Sequence, residues 1–384
     1  MKLNPLNDSA LPGIALIEPV GGHGGMDYYD YGLAYGLGEN GVSVSYYTCD
    51  KTSLRSYPNV KTVICFDDLW TRSFVSKTIE YLKGHFIAFR NARKEKSPIV
   101  HLHFFTFRSI DLLVLILSKL MGLKSVVTVH DVNAFDKKAS RLIEELCYLL
   151  IDGVIVHNQT SLDFLVEKNI NTRPTAVIPH GNYIPFITPV KEKSSSKAPL
   201  RLLFFGQIKK VKGLDVLLKA VAKVKQQGHS VHLTIGGKAW KSDLDEYRDL
   251  ISQLAIDDIV TTDFRYIPDE EVVNFYENAD LVVLPYREIY QSGVLLLSLS
   301  YGKPVLCSDL KPFMEIVKAD ETGFLFQSEN AEDLANQIVR LARDPDQLEL
   351  VKQKSASIIR TNYDWVNIGT LTKSFYHRIL NGQR

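Results

Sequence analysis

Along the first half of the chain, short apolar runs alternate with longer stretches of helical spacing. The runs fall at residues 14–18, 42–47, 62–66, 99–104, 125–130, 153–157 and 176–179. Most are continuous in Val, Ile and other apolar residues, the pattern of strands covered on both faces. Stretches such as 26–37 and 136–151 repeat apolar residues at helical spacing. Strands alternating with helices predict βαβ units and a parallel sheet. Residues 191–199 (KEKSSSKAP) break the rhythm with linker composition. It then restarts, with runs at 200–205, 231–235, 259–264, 281–285, 304–307 and 323–326, separated by helical patterns at 214–227, 270–278 and 331–343. The expected fold class is therefore α/β, with two doubly wound Rossmann-like domains facing each other across a cleft. Their expected bounds are 1–185 and 200–364, with a linker at 186–199. A last helix carries an apolar stripe, Trp365, Ile368, Leu371, Phe375 and Ile379, which must dock on something.

Composition narrows the classes. A length of 384 residues suits two to three domains at ~150 residues each. Forty-five Lys and Arg against 44 Asp and Glu leave a formal charge of +1, so no global charge asks for nucleic acid. The four cysteines, Cys49, Cys65, Cys147 and Cys307, form no CxxC pair, and scattered thiols on apolar strands read as buried and reduced. The first residues lack the apolar core of a signal peptide. The most apolar run, 112–117, is far short of the ~20 residues of a bilayer span. A cytoplasmic protein is expected.

Open parallel sheets bind ligands beyond the carboxyl ends of their strands, so chemistry is expected in the loops there. Gly21-Gly22-His23-Gly24-Gly25 follows the first run and opens a helix. It reads either as a ligand or acceptor loop at a helix N-terminus, or as a tight turn. The loop from Gly206 and Gln207 through Lys209, Lys210 and Lys212 to Gly213 leads into an amphipathic helix. Glycines, lysines and a helix start make a diphosphate cradle, against the alternative of solvated surface lysines. Glu288, Ser292, Gly293 and Val294 lie just before and at the start of an almost wholly apolar helix. Ser292 is a good N-cap, the buried helix start is an anion site, and Glu288 either accepts from sugar or ribose hydroxyls or sits on the surface. His130 and Asp131 end an apolar run, where an imidazole can donate or act as base, or simply be a satisfied structural histidine. His101 and His103 face either the ligand side or the core. His180-Gly181-Asn182 reads as a hinge at the domain boundary, and Tyr28, Tyr29, Tyr31 and Tyr35 as sugar-stacking or core residues.

No HExxH, no Cys/His cluster, no DxD between apolar strands and no GxSxG occurs. Residues 70–96 mix Arg72, Lys77, Lys83, Arg90, Arg93, Lys94 and Lys96 with Trp70, Phe74, Ile79, Leu82, Phe86 and Phe89. That is either a helix that rests on an anionic membrane or an ordinary domain helix with solvated charges.

Together, the two domains, Gly-Gln-Ile-Lys-Lys-Val-Lys-Gly at 206–213, and Pro-Tyr-Arg…Ser-Gly-Val-Leu-Leu-Leu…Tyr-Gly-Lys-Pro-Val at 285–305 resemble the GT-B glycosyltransferases of family four. Glu315-Ile316-Val317, the Glu-Thr-Gly-Phe-Leu at 321–325 and Tyr363-Asp364-Trp365 are also similar to that family, across nearly the whole chain. The resemblance implies transfer of a hexose from a nucleotide-diphosphate sugar to a glycan or lipid-linked acceptor, in bacterial polysaccharide or glycoconjugate synthesis. It implies no cofactor, no obligatory metal, and a last helix at 365–384 that completes the first domain. Catalytic roles would fall to His130, Asp131, Lys212 and Glu288. Gly206, Gln207, Lys212, Ile267, Glu288, Ser292, Gly293 and Val294 would hold the nucleotide sugar, and Gly24, Gly25 and Tyr29 the acceptor. His130 would offer its carbonyl to a sugar hydroxyl. Asp131 is the candidate base if the reaction inverts.

Two positions depart from the family. Gln207 stands where an arginine is common, and the paired glutamates would fall on Ile289 and Leu297, one residue from Glu288. These departures motivate a rival, a non-catalytic nucleotide-sugar-binding protein. A nucleotide-sugar 2-epimerase is the other alternative.

Overall fold

The structure is a computed structural model that describes residues 11–22, 24–67, 69, 71–132, 140–169, 173–191, 199–240 and 244–383. It divides into two compact units, one of residues 1–181 with 363–384 and one of residues 182–362.

The first unit has a seven-stranded sheet in the order β3-β2-β1-β4-β5-β6-β7. Its strands are β1 (Ile14–Ile17), β2 (Val44–Cys49), β3 (Val60–Phe66), β4 (Ile99–Phe104), β5 (Lys124–Val129), β6 (Gly153–Val156) and β7 (Thr175–Val177). All neighbours pair in parallel. Central strands β1, β2, β4 and β6 are buried at every position, whereas the edges β3 and β7 are part-exposed. Helices on both faces explain the continuous apolar runs. These helices are α1 (Gly24–Glu39), α2 (Phe74–Lys94), α3 (Ser109–Leu120), α4 (Arg141–Leu150) and α5 (Gln159–Glu167). The expected start of the fourth helix at 136 lies outside the described residues, as do Trp70 and most of 191–199.

The second unit has a six-stranded parallel sheet, order β10-β9-β8-β11-β12-β13. Its strands are β8 (Leu200–Phe205), β9 (Val231–Gly236), β10 (Val260–Asp263), β11 (Leu281–Leu284), β12 (Val305–Ser308) and β13 (Phe324–Phe326). The helices are α6 (Leu214–Gln226), α7 (Leu244–Gln253), α8 (Asp269–Glu277), α9 (Gly293–Ser300), α10 (Lys311–Ile316), α11 (Ala331–Arg343) and α12 (Pro345–Asn362). The core of this unit gathers Leu202, Phe204, Leu217, Val221, Leu233 and Ile338 between the sheet and α6 and α11.

The last helix, α13 (Trp365–Leu380), belongs to the first unit and packs on α1. Trp365, Ile368, Phe375 and Ile379 are buried, but Leu371 is exposed and Tyr376 takes the fully buried place instead. The two helices approach through glycines. A Cβ on Gly36 would lie 1.8 Å from the Trp365 carbonyl oxygen, and one on Gly369 would lie 2.2 Å from that of Gly36.

In each sheet the order reverses once, between β1 and β4 and between β8 and β11. At such a switch point the loops leaving the two strands run to opposite faces and leave a crevice for a ligand. The glycine loop at 21–25 follows β1, the lysine loop at 206–213 follows β8, and the segment 285–292 follows β11. Topology thus singles out the loops that carry the unusual residues.

Candidate active site

In the second unit, β8 ends in Gly206, whose φ of 102° is a left-handed conformation that suits glycine. The loop then forms a short parallel bridge from Ile208 to Ala239 and one 3-10 turn at Lys210–Lys212. It closes at Gly213, with φ 64°, where a Cβ would sit 1.9 Å from the Pro285 carbonyl oxygen. Gly206 and Gly213 thus let the loop fold tightly against the segment after β11. Arg287 fastens that segment down. Its backbone N–H donates to Val211 O (2.8 Å), and its guanidinium donates to Lys210 O (2.7 Å) and the Asp215 carboxylate (2.8 Å).

The result brings together residues from three separate stretches. A Cβ on Gly206 would lie 3.1 Å from Val294 Cγ2 and 3.4 Å from Lys212 Nζ. Lys212 Nζ also lies 5.2 Å from the ring centroid of buried Tyr286. Lys210 pairs with Glu246 and Arg287 with Asp215 and Glu329, while Lys209 lies over the Trp240 ring. Lys212 has no carboxylate partner among the described residues. Burial, reinforced by the charge of Lys209, pulls its ammonium down to about 7. An incoming anion would restore the proton.

At the start of α9, Ser292 Oγ accepts from Leu295 N–H (3.1 Å). The N–H groups of Gly293 and Val294 belong to the first turn, where a helix offers no carbonyl of its own. A Cβ on Gly293 would come within 2.9 Å of the Tyr183 hydroxyl. The α6 start differs, because Asp215 stands in its first turn and is held by Arg287. The diphosphate reading expected both helix starts to be open. Here α9 has no acidic side chain in its first turn, whereas α6 already carries a carboxylate with its own cation.

The remaining expected donor residues are less alike. Ile267 is buried in the loop between β10 and α8, beside exposed Tyr266. Gln207 is exposed, as is Glu288, whose carboxylate accepts from the Tyr290 hydroxyl at 3.4 Å.

In the first unit, Gly21 and Gly22 precede α1. A Cβ on Gly21 would strike the Thr52 hydroxyl at 1.7 Å, while Gly25 has open space around it. Gly22 N–H donates to both Asp27 carboxylate oxygens at 3.2 Å, so this helix start is also capped from within. Tyr29, expected at the acceptor, is instead buried at 2% exposure. Its ring is ringed by His103, His130, His157, His180 and Trp365 at 5.0–5.5 Å, because the α1 register turns it onto the sheet.

His130 lies just beyond β5. Its backbone N–H donates to Phe104 O (3.0 Å), and Phe105 stacks on its ring at 4.7 Å. Both ring nitrogens are occupied, Nε2 by His103 Nδ1 (3.2 Å) and Nδ1 by His157 Nε2 (3.3 Å). Burial, with the neighbouring histidines, drives its pKa well below the usual value, so the ring is neutral. Free acid or base work by that ring does not fit these contacts. Asp131 beside it is half-buried. His101 and His103 both face the core. No group of three or more potential ligands among the described residues could hold a metal ion.

Residues 188–358 match the model of glycosyl transferases group 1, and residues 23–182 match that of Glycosyltransferase Family 4. The chain belongs to the group 1 glycosyltransferases. This glycosyltransferase is 25% identical over 391 residues to the D-inositol 3-phosphate glycosyltransferase of Arthrobacter sp. strain FB24, covering 93% of this chain and 90% of that one. It is 25% identical over 306 residues to the GDP-mannose:glycolipid 4-beta-D-mannosyltransferase of Xanthomonas campestris pv. campestris, covering 76% and 82%. Among solved structures, sucrose-phosphate synthase from Thermosynechococcus elongatus superposes with a TM-score of 0.75 at 18% identity, covering 97% of this glycosyltransferase and 100% of that chain. The Anabaena HepE protein in complex with UDP gives 0.72 at 17% identity, covering 95% and 99%. The fold is GT-B, two Rossmann-like domains. Among the described residues, no helix is long and apolar enough to cross a membrane.

The residues that sequence reasoning overlooked are Arg287, Tyr286 and Tyr183. Arg287 and Tyr286 stand in the motif after β11 but gain their roles only through contacts with distant segments.

Proposed function

We propose that this glycosyltransferase takes its sugar from a nucleotide-diphosphate donor held by residues 200–364, and delivers it to a glycan or lipid-linked acceptor recognised by residues 1–185 with 365–384. The observation that carries the donor half is the meeting of Gly206, Lys212 and Val294 around an ammonium with no carboxylate of its own. Departure of the nucleotide builds negative charge on the diphosphate. Donors already fixed in place stabilise that charge more in the transition state than in the ground state. Lys212 and the first amides of α9 are those donors in this reading. Gln207, Ile267 and Glu288 are read as outer contacts to base, ribose or sugar. His130 contributes its carbonyl, and Asp131 is the base if configuration inverts. Gly24 and Gly25, in the first turn of α1, are read as acceptor-side contacts, supported by the open space around Gly25. The Anabaena protein's complex with UDP supports a nucleotide donor, and the Xanthomonas relative's glycolipid specificity supports a lipid-linked acceptor.

Contact with a membrane surface through residues 70–96 is part of the same reading. Phe74, Val75, Ile79 and Phe86 of α2 are exposed, whereas Tyr81, His85 and Phe89 turn inward. Lys83, Arg90 and Lys94 stand on the same helix, and an apolar face with a cationic rim suits an anionic leaflet. Sedimentation with anionic vesicles that is lost in F74S/I79S would support this contact, and binding unchanged by that pair would remove it.

The test of the donor site is Lys212→Ala. Loss of about 100-fold or more in turnover, with the fold intact, is expected for removal of a key charge donor. Full activity would reject the assignment.

A further inference from the structure

Buried in the first unit is a chain of polar contacts that the transfer reaction does not obviously need. Asp30 on α1 stands at one end. Its Oδ2 accepts from the Tyr46 hydroxyl (3.2 Å), and its Oδ1 faces His103 Nε2 at 3.3 Å. These two facing atoms have no other hydrogen-bond partner among the described residues. His103 Nδ1 meets His130 Nε2 at 3.2 Å, His130 Nδ1 meets His157 Nε2 at 3.3 Å, and His157 Nδ1 meets the Ile178 carbonyl oxygen at 3.0 Å.

The carbonyl end decides every proton. A carbonyl oxygen only accepts, so His157 carries its proton on Nδ1. Its Nε2 is then bare and accepts, so His130 carries Nδ1–H. The same step gives His103 Nδ1–H, and leaves His103 Nε2 as a bare acceptor facing Asp30. Four contacts need four protons. Three neutral imidazoles supply three, and the fourth must sit on the Asp30 carboxyl. An ionised Asp30 would satisfy the chain only by placing an imidazolium elsewhere in it, which separates charge in an apolar interior. We propose that Asp30 stays protonated and, as the donor at the head of a one-way chain Asp30–His103–His130–His157–Ile178, positions His130 at the end of β5 in a fixed neutral tautomer.

The surroundings agree. Burial, then the charges of Glu18 and Asp27, hold the Asp30 carboxyl well above the usual range. Burial and the neighbouring rings hold His103 and His130 well below theirs, and His157 at about 4. The other groups facing the chain are Tyr29, His101, stacked on His103 at 4.9 Å, and His180, 5.8 Å from His157. With both ring nitrogens of His130 committed, what it offers beyond the strand is its backbone. Asp30, His103 and His157 are thus positioning residues. Their link to catalysis rests on the reading that the end of β5 meets the donor sugar, whereas the chain itself does not.

The experiment uses the full-length protein labelled with 15N-histidine, and reads long-range 1H–15N spectra at pH 7. His103, His130 and His157 are expected in the Nδ1–H tautomer, the minority form of free imidazole. An Nε2–H tautomer or an imidazolium at any of the three overturns the chain, whatever the enzyme's activity. Two variants test the link to the reaction. D30L removes the donor; the Ile178 carbonyl still sets the Nδ1–H tautomers, but His103 Nε2 is left bare and unbonded, and kcat is expected to fall about tenfold with the donor KM little changed. D30N, whose amide can donate as the carboxylic acid does, is expected to restore the bond to His103 Nε2 and most of the lost kcat. Unaltered kcat in D30L, with the 15N shift of His103 Nε2 showing that its bond is lost, would overturn the positioning role and leave the donor-site reading untouched.

Discussion

Lys212 Nζ lies 5.2 Å from the centroid of the Tyr286 ring, with the α-carbon of Gly206 and the side chain of Val294 beside it. An aromatic face attracts a cation but does not neutralise it. The ammonium is therefore held in position and left with charge to spend on a ligand.

The pH dependence of donor use should follow from that position. Lys212 has a pKa of about 7 in the free protein, lowered by burial and then by Lys209. Anion binding requires the protonated form, so kcat/KM for the donor is expected to fall as pH rises through 7, since that parameter reports the free enzyme. Lys212→Arg, always charged, should keep whatever activity its geometry allows to higher pH. A flat wild-type profile from pH 6 to 9 would contradict the assignment.

Arg287 links the lysine loop to the segment after β11 through Lys210 O, Asp215 and Glu329. Its removal leaves Asp215 without its guanidinium and releases the loop. Arg287→Ala is expected to weaken donor binding by about tenfold or more, the size of a lost charge-assisted hydrogen bond at ~1.5–3 kcal/mol. Titration calorimetry with a nucleoside diphosphate checks this.

The last helix should be needed for the fold of the first unit. Trp365 is 1% exposed and covers Gly32 and Gly181, where a Cβ would come within 2.1–2.2 Å of its ring. Trp365→Ala should cost about 3–5 kcal/mol. Denaturant unfolding of wild type and variant measures it.

Acid should destabilise the protein early. His85 and His157 titrate at about 4, and His101 and His180 at about 3, because burial disfavours their charged forms. His103 and His130 are also held well below the ordinary histidine value, by burial and then by neighbouring histidines. Each contributes stability that is present above the ordinary histidine pKa and is lost as pH falls towards 3–4. Glu18, Asp27 and Asp30 act oppositely. Burial raises them, Glu18 to about 7, so their contributions fade as pH rises. Six groups outweigh three, and each net proton is worth about 1.4 kcal/mol per pH unit. The melting temperature should drop steadily between pH 6.5 and 4.5, and a constant value there would contradict the buried, neutral histidines.

The parts of this molecule legible in the sequence were those written locally. The apolar-rich runs IVHLHF and LRLLFF marked β4 and β8 to the residue, because β4 is buried throughout and β8 over its last four residues. The punctuation by Gly206 and Gly213 marked the lysine loop, since positive φ asks for glycine there. Arg287 was not legible as a fastener, because its partner Lys210 is 77 residues away. Tyr29 was misjudged because helix spacing alone does not say which side of α1 meets the sheet. The histidine chain did leave a trace. His103, His130 and His157 recur 27 residues apart, one βαβ unit each, and so arrive side by side at the carboxyl ends of β4, β5 and β6.

The most direct measurement is calorimetric titration of the full-length protein with UDP, GDP and ADP, repeated on Lys212→Ala. One of the three is expected to bind one to one, more tightly than its monophosphate, and to lose at least tenfold in affinity without the lysine. Binding of equal strength in the variant, or no preference for the diphosphate, would contradict a site built around Lys212 and the start of α9.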